Sequence, residues 1–484
     1  MLDKVIDNYN AEDFYDRIDL DKDFSDWIRL EAEFNFWAFC LYMDYEFFRA
    51  RKQIMKPIAD AMQEIEDGEI SNLYVGMPPR AGKSYITTLF STWSLGRTPS
   101  KTIMRNTVTN KLYKKFSKDA IDIIKGQTHH NRFKQVFPDV KLATENVQDG
   151  WSLTDTESGI SYFGAGVGGT VIGFGASKCA ILDDSIKGVQ EAMSETMLDK
   201  KWNWYTGVHQ SRMEKNCPEI HIATRWSKRD IPGKLIDKGQ FSGEDGKKIV
   251  VPALIDGHTF CEDVHSTEYY LEKRQITDNL IWKAEYMQSP VEAKGLVFSE
   301  KELNRFSLDD LNDDPDGVIM AGDIADEGDD SLCCPLGYIY DDKVFVTDII
   351  FTKDPIEVTQ PLVAGMIDDE QPARARFESN NGGKGFAMKV RELISANTTV
   401  KWKRTVSNKH TRILMKSGFV KDKFYFREDY KAGSDYDKFM KEFTKYNRTG
   451  KVKHDDAPDG VTMLAELFDK LTKGSKVAKK PVGF

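Results

Sequence analysis

Lys83 and Ser84 close the run Met77-Pro78-Pro79-Arg80-Ala81-Gly82-Lys83-Ser84, which follows directly on the apolar Leu73-Tyr74-Val75. A glycine, a lysine and a hydroxyl at the turn between a strand and a helix form a phosphate loop, which holds phosphates and a magnesium ion. Further along, Cys179-Ala180-Ile181-Leu182 runs into Asp183-Asp184. An apolar strand ending in two carboxylates supplies the other half of a nucleoside triphosphate site. Asp183 would hold the magnesium, directly or through water, and Asp184 would orient or deprotonate the attacking water. The plainer reading is two acids capping a turn after a strand. Aspartate also reaches less far than the glutamate that often fills the second role.

The loop departs from the usual G-x-x-x-x-G-K-[ST] pattern. Met77 stands where the first glycine is expected, with Gly76 one place early. Pro78 and Pro79 have no backbone N–H to donate. The cradle must therefore come from the amides of Arg80, Ala81, Gly82, Lys83 and Ser84, backed by the dipole of a helix over Tyr85–Trp93. Lys83 would reach the β- and γ-phosphates and Ser84 would ligate the metal. Thr224-Arg225-Trp226 ends the strand Ile220–Ala223, where a polar residue can sense the γ-phosphate; a simple strand-ending turn explains it equally well. Arg80, Arg105 and Arg212 are all able to neutralise charge during transfer, and the sequence does not choose among them. ATP and Mg2+ are the cofactors this set calls for.

A second group of acids lies in the C-terminal third. Asp323 ends the strand Val318–Gly322, Glu378 closes Ala375-Arg376-Phe377-Glu378, and Asp455, Asp456 and Asp459 precede a helix that begins near Val461. Two strand-end acids and one at a helix start can converge on a pair of divalent ions that clamps the attacking and leaving oxygens of a phosphodiester. An oxygen-only ligand set suits magnesium or manganese, and the eight histidines show no zinc-like spacing. Solvated acids at loop edges are the plainer alternative.

The elements that must position these groups read as α/β. From 73 to 224, short β-rich runs at Leu73–Val75, Thr102–Met104, Cys179–Leu182 and Ile220–Ala223 alternate with helical stretches, which predicts a parallel sheet. From 317 the pattern restarts as strands Val318–Gly322, Cys333–Tyr340 and Val344–Ile350, the last two joined by a hairpin turn at Asp341-Asp342-Lys343. Before the first strand, Phe34, Phe36, Trp37, Phe39, Tyr42 and Met43 crowd one stretch as a buried helical face would. Gly164, Gly166 and Gly169 match G-x-G-x-x-G, but the Thr170–Gly175 stretch is a poor helix, so a glycine-rich loop is the better account than a dinucleotide site. The expected division is a helical part at 1–70, an ATPase domain at 71–250, a linker at 251–315, a nuclease domain at 316–470 and a tail at 471–484. That tail carries Lys473, Lys476, Lys479 and Lys480, either a tether or a solvated end.

With 484 residues, 40% hydrophobic and 30% charged, the chain has room for two or three ordinary cores. Its apolar runs are too short to cross a bilayer, and Met1-Leu2-Asp3-Lys4 begins neither a signal nor a transit peptide. The six scattered cysteines read as reduced thiols, with Cys179 a small buried hydrophobe. A net charge of -9 argues against a globally sticky nucleic-acid binder while leaving room for local basic grooves.

The order of segments resembles the large terminase subunit of tailed bacteriophages. The resemblance rests on 77–84, on Gly-Val-Gly-Gly-Thr-Val-Ile-Gly-Phe-Gly-Ala at 166–176, on Leu-Asp-Asp at 182–184, and on Trp202-Asn203-Trp204-Tyr205. It continues through Ala-Thr-Arg-Trp at 223–226, Tyr286-Met287-Gln288-Ser289-Pro290 and the acids at 323, 378 and 455–459. Ala81 and Ser185 depart from it, where histidine and proline are frequent. The resemblance implies an N-terminal P-loop ATPase of the ASCE type with a parallel-rich sheet, followed by an RNase H-like nuclease domain. It assigns Thr224 and Arg225 to a coupling motif beside the nucleotide. It also assigns the nuclease metals, Mg2+ or Mn2+, to Asp323, Glu378 and one of Asp455, Asp456 or Asp459. Double-stranded DNA, a small terminase subunit, the portal protein of a procapsid and further copies of this chain in a ring are the implied partners, with no membrane. The implied place is the host cytoplasm and, transiently, the portal vertex. A DNA-repair helicase–nuclease, or a DNA-binding assembly protein that only switches with ATP, are the rival readings.

Overall fold

The computed structural model describes residues 22–475, apart from 147–149, 172, 292–294, 325–330, 381, 406–407, 451 and 453. The tail lysines Lys476, Lys479 and Lys480 lie outside the described residues, and Lys473 falls in the last turn of the final helix. The chain divides into two compact units: one runs to Tyr270 and takes back Lys283–Val291, and the other comprises Leu271–Trp282 and the chain from Glu292. The 251–315 stretch read as a linker thus contributes to both.

The first unit opens with helices α1 (Lys22–Phe34), α2 (Phe36–Met43), α3 (Tyr45–Ala50) and α4 (Lys52–Asp67). Phe36, Trp37, Phe39 and Met43 are buried, but Phe34 is 61% exposed, so the aromatic crowd is not one face. Asn35 breaks the helix there, its side chain accepting from Ala38 N–H as an N-cap. The short α2 is then buried nearly all round, as its unbroken apolar sequence requires.

The main sheet of this unit takes six strands: β1 (Asn72–Gly76), β2 (Ile103–Thr107), β3 (Tyr162–Phe163), β4 (Cys179–Asp183), β5 (Glu219–Ala223) and β6 (Gly246–Val250). They form one sheet in the order β3-β2-β4-β5-β1-β6, with every pair parallel. The central strands β2, β4 and β5 are buried at every residue, the mark of a sheet covered on both faces. Helices α5 (Lys83–Arg97) and α6 (Asn110–Ile124) connect them. The G-x-G-x-x-G lookalike is a loop that leads to β4, with no helix following it among the described residues. Its glycines answer to crowding: a Cβ at Gly164 would lie 1.9 Å from the Arg105 carbonyl, and one at Gly166 2.4 Å from Asn110 N.

The second unit holds a seven-stranded sheet of β7 (Asn304–Phe306), β8 (Gly317–Gly322), β9 (Leu332–Tyr340), β10 (Lys343–Thr352), β11 (Arg374–Glu378), β12 (Thr399–Lys403) and β13 (Phe424–Arg427), in the order β7-β13-β10-β9-β8-β11-β12. β8, β9 and β10 form an antiparallel meander, turned by Asp341 at φ 54°, whereas β11 and β12 run parallel to β8. This mixed sheet agrees with the α/β fold class expected from the resemblance. Helices α7 (Ile356–Glu370) and α8 (Gly383–Leu393) cover one core, with Val363, Ile367, Phe386 and Val390 packed on Met320, Leu336 and Phe377. The unit also holds α9 (Lys409–Lys423), α10 (Asp435–Phe443) and α11 (Asp456–Ser475).

All six cysteines are buried and unbridged, Cys179 among them. Among the described residues, no helix is long and apolar enough to cross a membrane.

Two candidate catalytic centres

The first centre forms where β1, β4 and β5 end side by side. Met77 N–H donates to Ala223 O at 3.1 Å, so the loop is tied to the end of β5 from its start. Gly82 adopts φ 104°, and a Cβ there would meet the Phe47 ring at 2.6 Å and Met55 at 2.7 Å. Both the backbone and the space demand glycine. Lys83 begins α5 with its side chain buried. Its Nζ donates to Met77 O at 2.9 Å, to Pro78 O at 3.2 Å and to Thr224 Oγ1 at 2.6 Å. Burial pushes the Lys83 pKa down, against the pull of Asp184, Asp183 and Glu285. The prolines, unable to donate, therefore still serve the site: the Pro78 carbonyl helps to hold the lysine.

Asp183 divides its two oxygens. Oδ1 faces the Ser84 hydroxyl at 3.3 Å, and Oδ2 takes a very short ion pair with Arg105. Asp184 sits at φ 54°, and its Oδ1 accepts from Thr224 N–H at 2.7 Å. Burial raises its pKa while Lys83 opposes the rise. A cavity of about 440 Å3 is lined by Pro79, Arg80, Gly82, Lys83, Ser84, Asp184, Lys187, Thr224 and Trp226, among others. Ala81, Asp183 and Arg225 do not line it. Asp183 stands behind Ser84, and the Arg225 guanidinium turns into its own loop, pairing with Asp230 at 3.3 Å. The Lys83 ammonium, the Ser84 hydroxyl and the Asp184 carboxylate around one cavity, with Asp183 behind Ser84, fit a magnesium–triphosphate group.

The candidate arginines separate on burial. Arg105 is fully buried, stacked on Phe116 and committed to Asp183, so it is no mobile donor to a phosphate. Arg80 is exposed at the cavity wall.

The second centre follows from strand direction. β8 and β11 are parallel neighbours, so Asp323, just past β8, and Glu378, the last residue of β11, emerge at the same sheet edge. α11 delivers Asp459 from its first turn. Gly460 lets that turn seat on the sheet, since a Cβ there would lie 2.5 Å from Cys333 Sγ. Asp323, Glu378 and Asp459 each offer a ligand atom within 4.8 Å of the others. Asp459 Oδ2 is buried without a hydrogen-bond partner. Three oxygen donors from three elements, one of them unsatisfied, fit a hard divalent ion.

Asp455 and Asp456 fall outside that trio and gather instead around Lys409. Its Nζ lies 2.8 Å from Asp455, 3.0 Å from Asp323, 3.3 Å from Asp456 and 3.6 Å from Asp459. Asp456 also accepts from Ser331 N–H at 2.7 Å. Arg412, one turn on, pairs closely with Asp459 and stands 3.6 Å from Glu378. Burial disfavours the charge of Lys409, yet Asp323, Asp459, Asp455 and Asp456 together hold its pKa well above the ordinary range. Sequence reasoning missed both cations. The signal was there: Lys409 and Arg412 occupy the first turn of α9, where the helix dipole disfavours positive charge.

No family model and no curated relative matches the chain. Among solved structures, the large terminase of a thermophilic bacteriophage in complex with ATP-gamma-S matches at TM-score 0.48 and 9% identity, over 84% of this chain and 98% of that one. The chain resembles phage large terminases. The HK97 bacteriophage large terminase matches at TM-score 0.35 and 11% identity, over 84% of this chain and 94% of that one. The nuclease domain of the large terminase subunit gp2 of bacterial virus Sf6 matches at TM-score 0.26 and 13% identity, over 36% of this chain and 98% of that one.

The acids of the second centre carry a pH signature. Burial raises Asp323, with Lys409 opposing, and takes Asp459 to about 8, with the Asp323 charge adding to the rise. Unfolded carboxyls release their proton near about pH 4. The folded pair keeps a proton that the unfolded chain has lost, so its contribution to stability is complete below about pH 4 and fades as pH approaches about 8. Calorimetry of the metal-free chain should show a melting temperature that falls between about pH 5 and 8. A pH-independent melt across that window would exclude the retained proton.

Proposed function

We propose that this chain is a large terminase subunit: a motor that hydrolyses ATP to drive double-stranded DNA into a procapsid, and a nuclease that cuts concatemeric DNA. The observation that carries the reading is the pairing of two chemically distinct centres in separate units of one chain. One is built from Lys83, Ser84, Asp183, Asp184 and Thr224, the other from Asp323, Glu378 and Asp459.

In the first centre, Lys83 and the loop amides would hold the phosphates, and Ser84 with Asp183 would hold the magnesium. Asp184, fixed by Thr224 N–H, orients the attacking water or takes its proton. Thr224 touches both Lys83 and Asp184, so it registers a change at either. In the second centre, Asp323, Glu378 and Asp459 would hold Mg2+ or Mn2+, which would supply stabilisation of charge on the oxygens of a phosphodiester. Arg412 orients Asp459 and Glu378 from the side. The partners proposed are a small terminase subunit, the portal protein and further copies of the chain in a ring. The place proposed is the host cytoplasm and the portal vertex.

Plasmid cutting with manganese and ATP turnover, measured on the same samples, test the reading. Asp323→Ala is expected to lose cutting by at least about a hundredfold and keep turnover; Lys83→Ala is expected to do the reverse. Cutting that survives Asp323→Ala removes the nuclease. Nucleotide binding without turnover in the wild type leaves only an ATP-switched assembly protein.

A further inference from the structure

Gln288 belongs to neither centre, yet its side chain reaches the end of β5. It is 4% exposed, and its Oε1 accepts from Arg225 N–H at 3.0 Å. Its Nε2 donates to Glu285 O at 2.5 Å. Gln288 also holds φ 54°, a left-handed conformation that a residue with a Cβ adopts at a cost, and these two bonds fix it there.

The neighbouring amides of β5's end are therefore clamped from two sides. Thr224 N–H goes to Asp184, and Arg225 N–H goes to Gln288. The peptide between them joins an acid of the nucleotide centre to the segment Lys283–Val291. That segment sits in the first unit, where Tyr286 O accepts from Ala253 N–H at 2.8 Å and Lys283 O from Ser289 N–H at 2.8 Å. On both sides its chain continues directly into the second unit, through Trp282 and Glu292. Arg225's side chain cannot replace the link, because Asp230 and Ser227 hold it.

We propose that Gln288 is the positioning residue that conveys the nucleotide state from Asp184 and Thr224 to the segment 283–291. The proposal rests on the nucleotide reading of the first centre. A shift of Asp184 or Thr224 moves the 224–225 peptide, and the buried Gln288 bond obliges the segment to follow. The segment follows at its strained residue rather than fraying there, because losing the Arg225 bond would leave a buried N–H and a buried carbonyl unpaired.

Amide hydrogen exchange on the full chain, with and without ATP-gamma-S and magnesium, tests it. Gln288→Met keeps the length and removes both polar atoms; Gln288→Glu keeps an oxygen at the Oε1 position. In the wild type, nucleotide is expected to slow exchange at 224–226 and at 283–291. In Gln288→Met, nucleotide affinity should stay within about twofold and the slowing at Thr224 should persist, while the response at 283–291 falls at least about fivefold. Gln288→Glu should retain half or more of that response. An unchanged response in Gln288→Met overturns the proposal, as does an equal loss in both variants. A wild type that binds no nucleotide fails the functional reading itself, a different result from either.

Discussion

Arg105→Met is expected to lower the melting temperature of the first unit by about 10 °C and to remove most ATP turnover with it. Arg105 lies in a central strand with no solvent exposure. Its guanidinium pairs with Asp183, donates to Thr88 Oγ1 at 2.8 Å and to Ser84 O at 3.1 Å, and stacks on Phe116. One group thus ties β4 to the first turns of α5. Removing it leaves Asp183 charged, buried and unpaired, a loss of roughly 3–5 kcal/mol. In a unit of this size each kcal/mol shifts melting by about 2–4 °C. Arg105→Lys should rescue little, since an ammonium cannot bridge the three partners with the geometry of a planar fork. Exposed Arg80→Met should leave the melt unchanged. Calorimetry and turnover on the same preparations decide it: turnover lost at an unchanged melting temperature would make Arg105 a chemical participant and not a brace.

Lys409→Met is expected to tighten Mn2+ binding at the second centre by about tenfold or more, a difference of roughly 1.4 kcal/mol. The ammonium lies within 3.6 Å of four carboxylates, two of them in the trio that fits a divalent ion. A metal and Lys409 compete for the oxygens of Asp323 and Asp459, and a doubly charged ion gains more from them once the competitor is gone. The side chain is one-third exposed, so water screens part of the contest and the gain stays well below the bare Coulomb energy. The same change should lower the melting temperature of the metal-free chain, because the four acids then lose their shared counter-charge. Added Mn2+ should restore it. Isothermal titration with Asp323→Ala as the blank provides the measurement. Equal or weaker binding in Lys409→Met would show that the lysine arranges the acids for the metal instead of opposing it.

Both predictions turn on residues whose roles were not visible along the chain. Lys83, Ser84 and the Asp183-Asp184 pair were legible because each motif is contiguous and its local structure, a strand ending in a turn, follows from a short apolar run. The strands themselves were read to within a few residues: Leu73–Val75 proved to be Asn72–Gly76, and Val344–Ile350 proved to be Lys343–Thr352. Phe34 was misplaced because helical spacing was read across Asn35, whose capping side chain starts a new helix. Arg105 could not be told from Arg80 and Arg212 as a charge-neutralising arginine, because nothing in Ile103–Thr107 announces that its guanidinium meets Asp183 of β4.

What the sequence by itself determined is the local placement of the candidate groups: Lys83 and Ser84 at a strand-to-helix turn, Asp183 and Asp184 at a strand end, Asp323 and Glu378 at two further strand ends, and α/β elements of the right period to carry them. Those properties are local, set by residue type and spacing within a turn or a strand. Only the tertiary structure decided which acids meet. Strand order brings Asp323 and Glu378 to one sheet edge, and the seating of α11 selects Asp459 while Asp455 and Asp456 turn to Lys409. It also decided that Arg105 is buried against Asp183 and that Gln288 reaches the end of β5. Such pairings join residues 63 to 86 positions apart. They are fixed by which strands lie side by side and which groups remain buried, and no spacing along the chain encodes that.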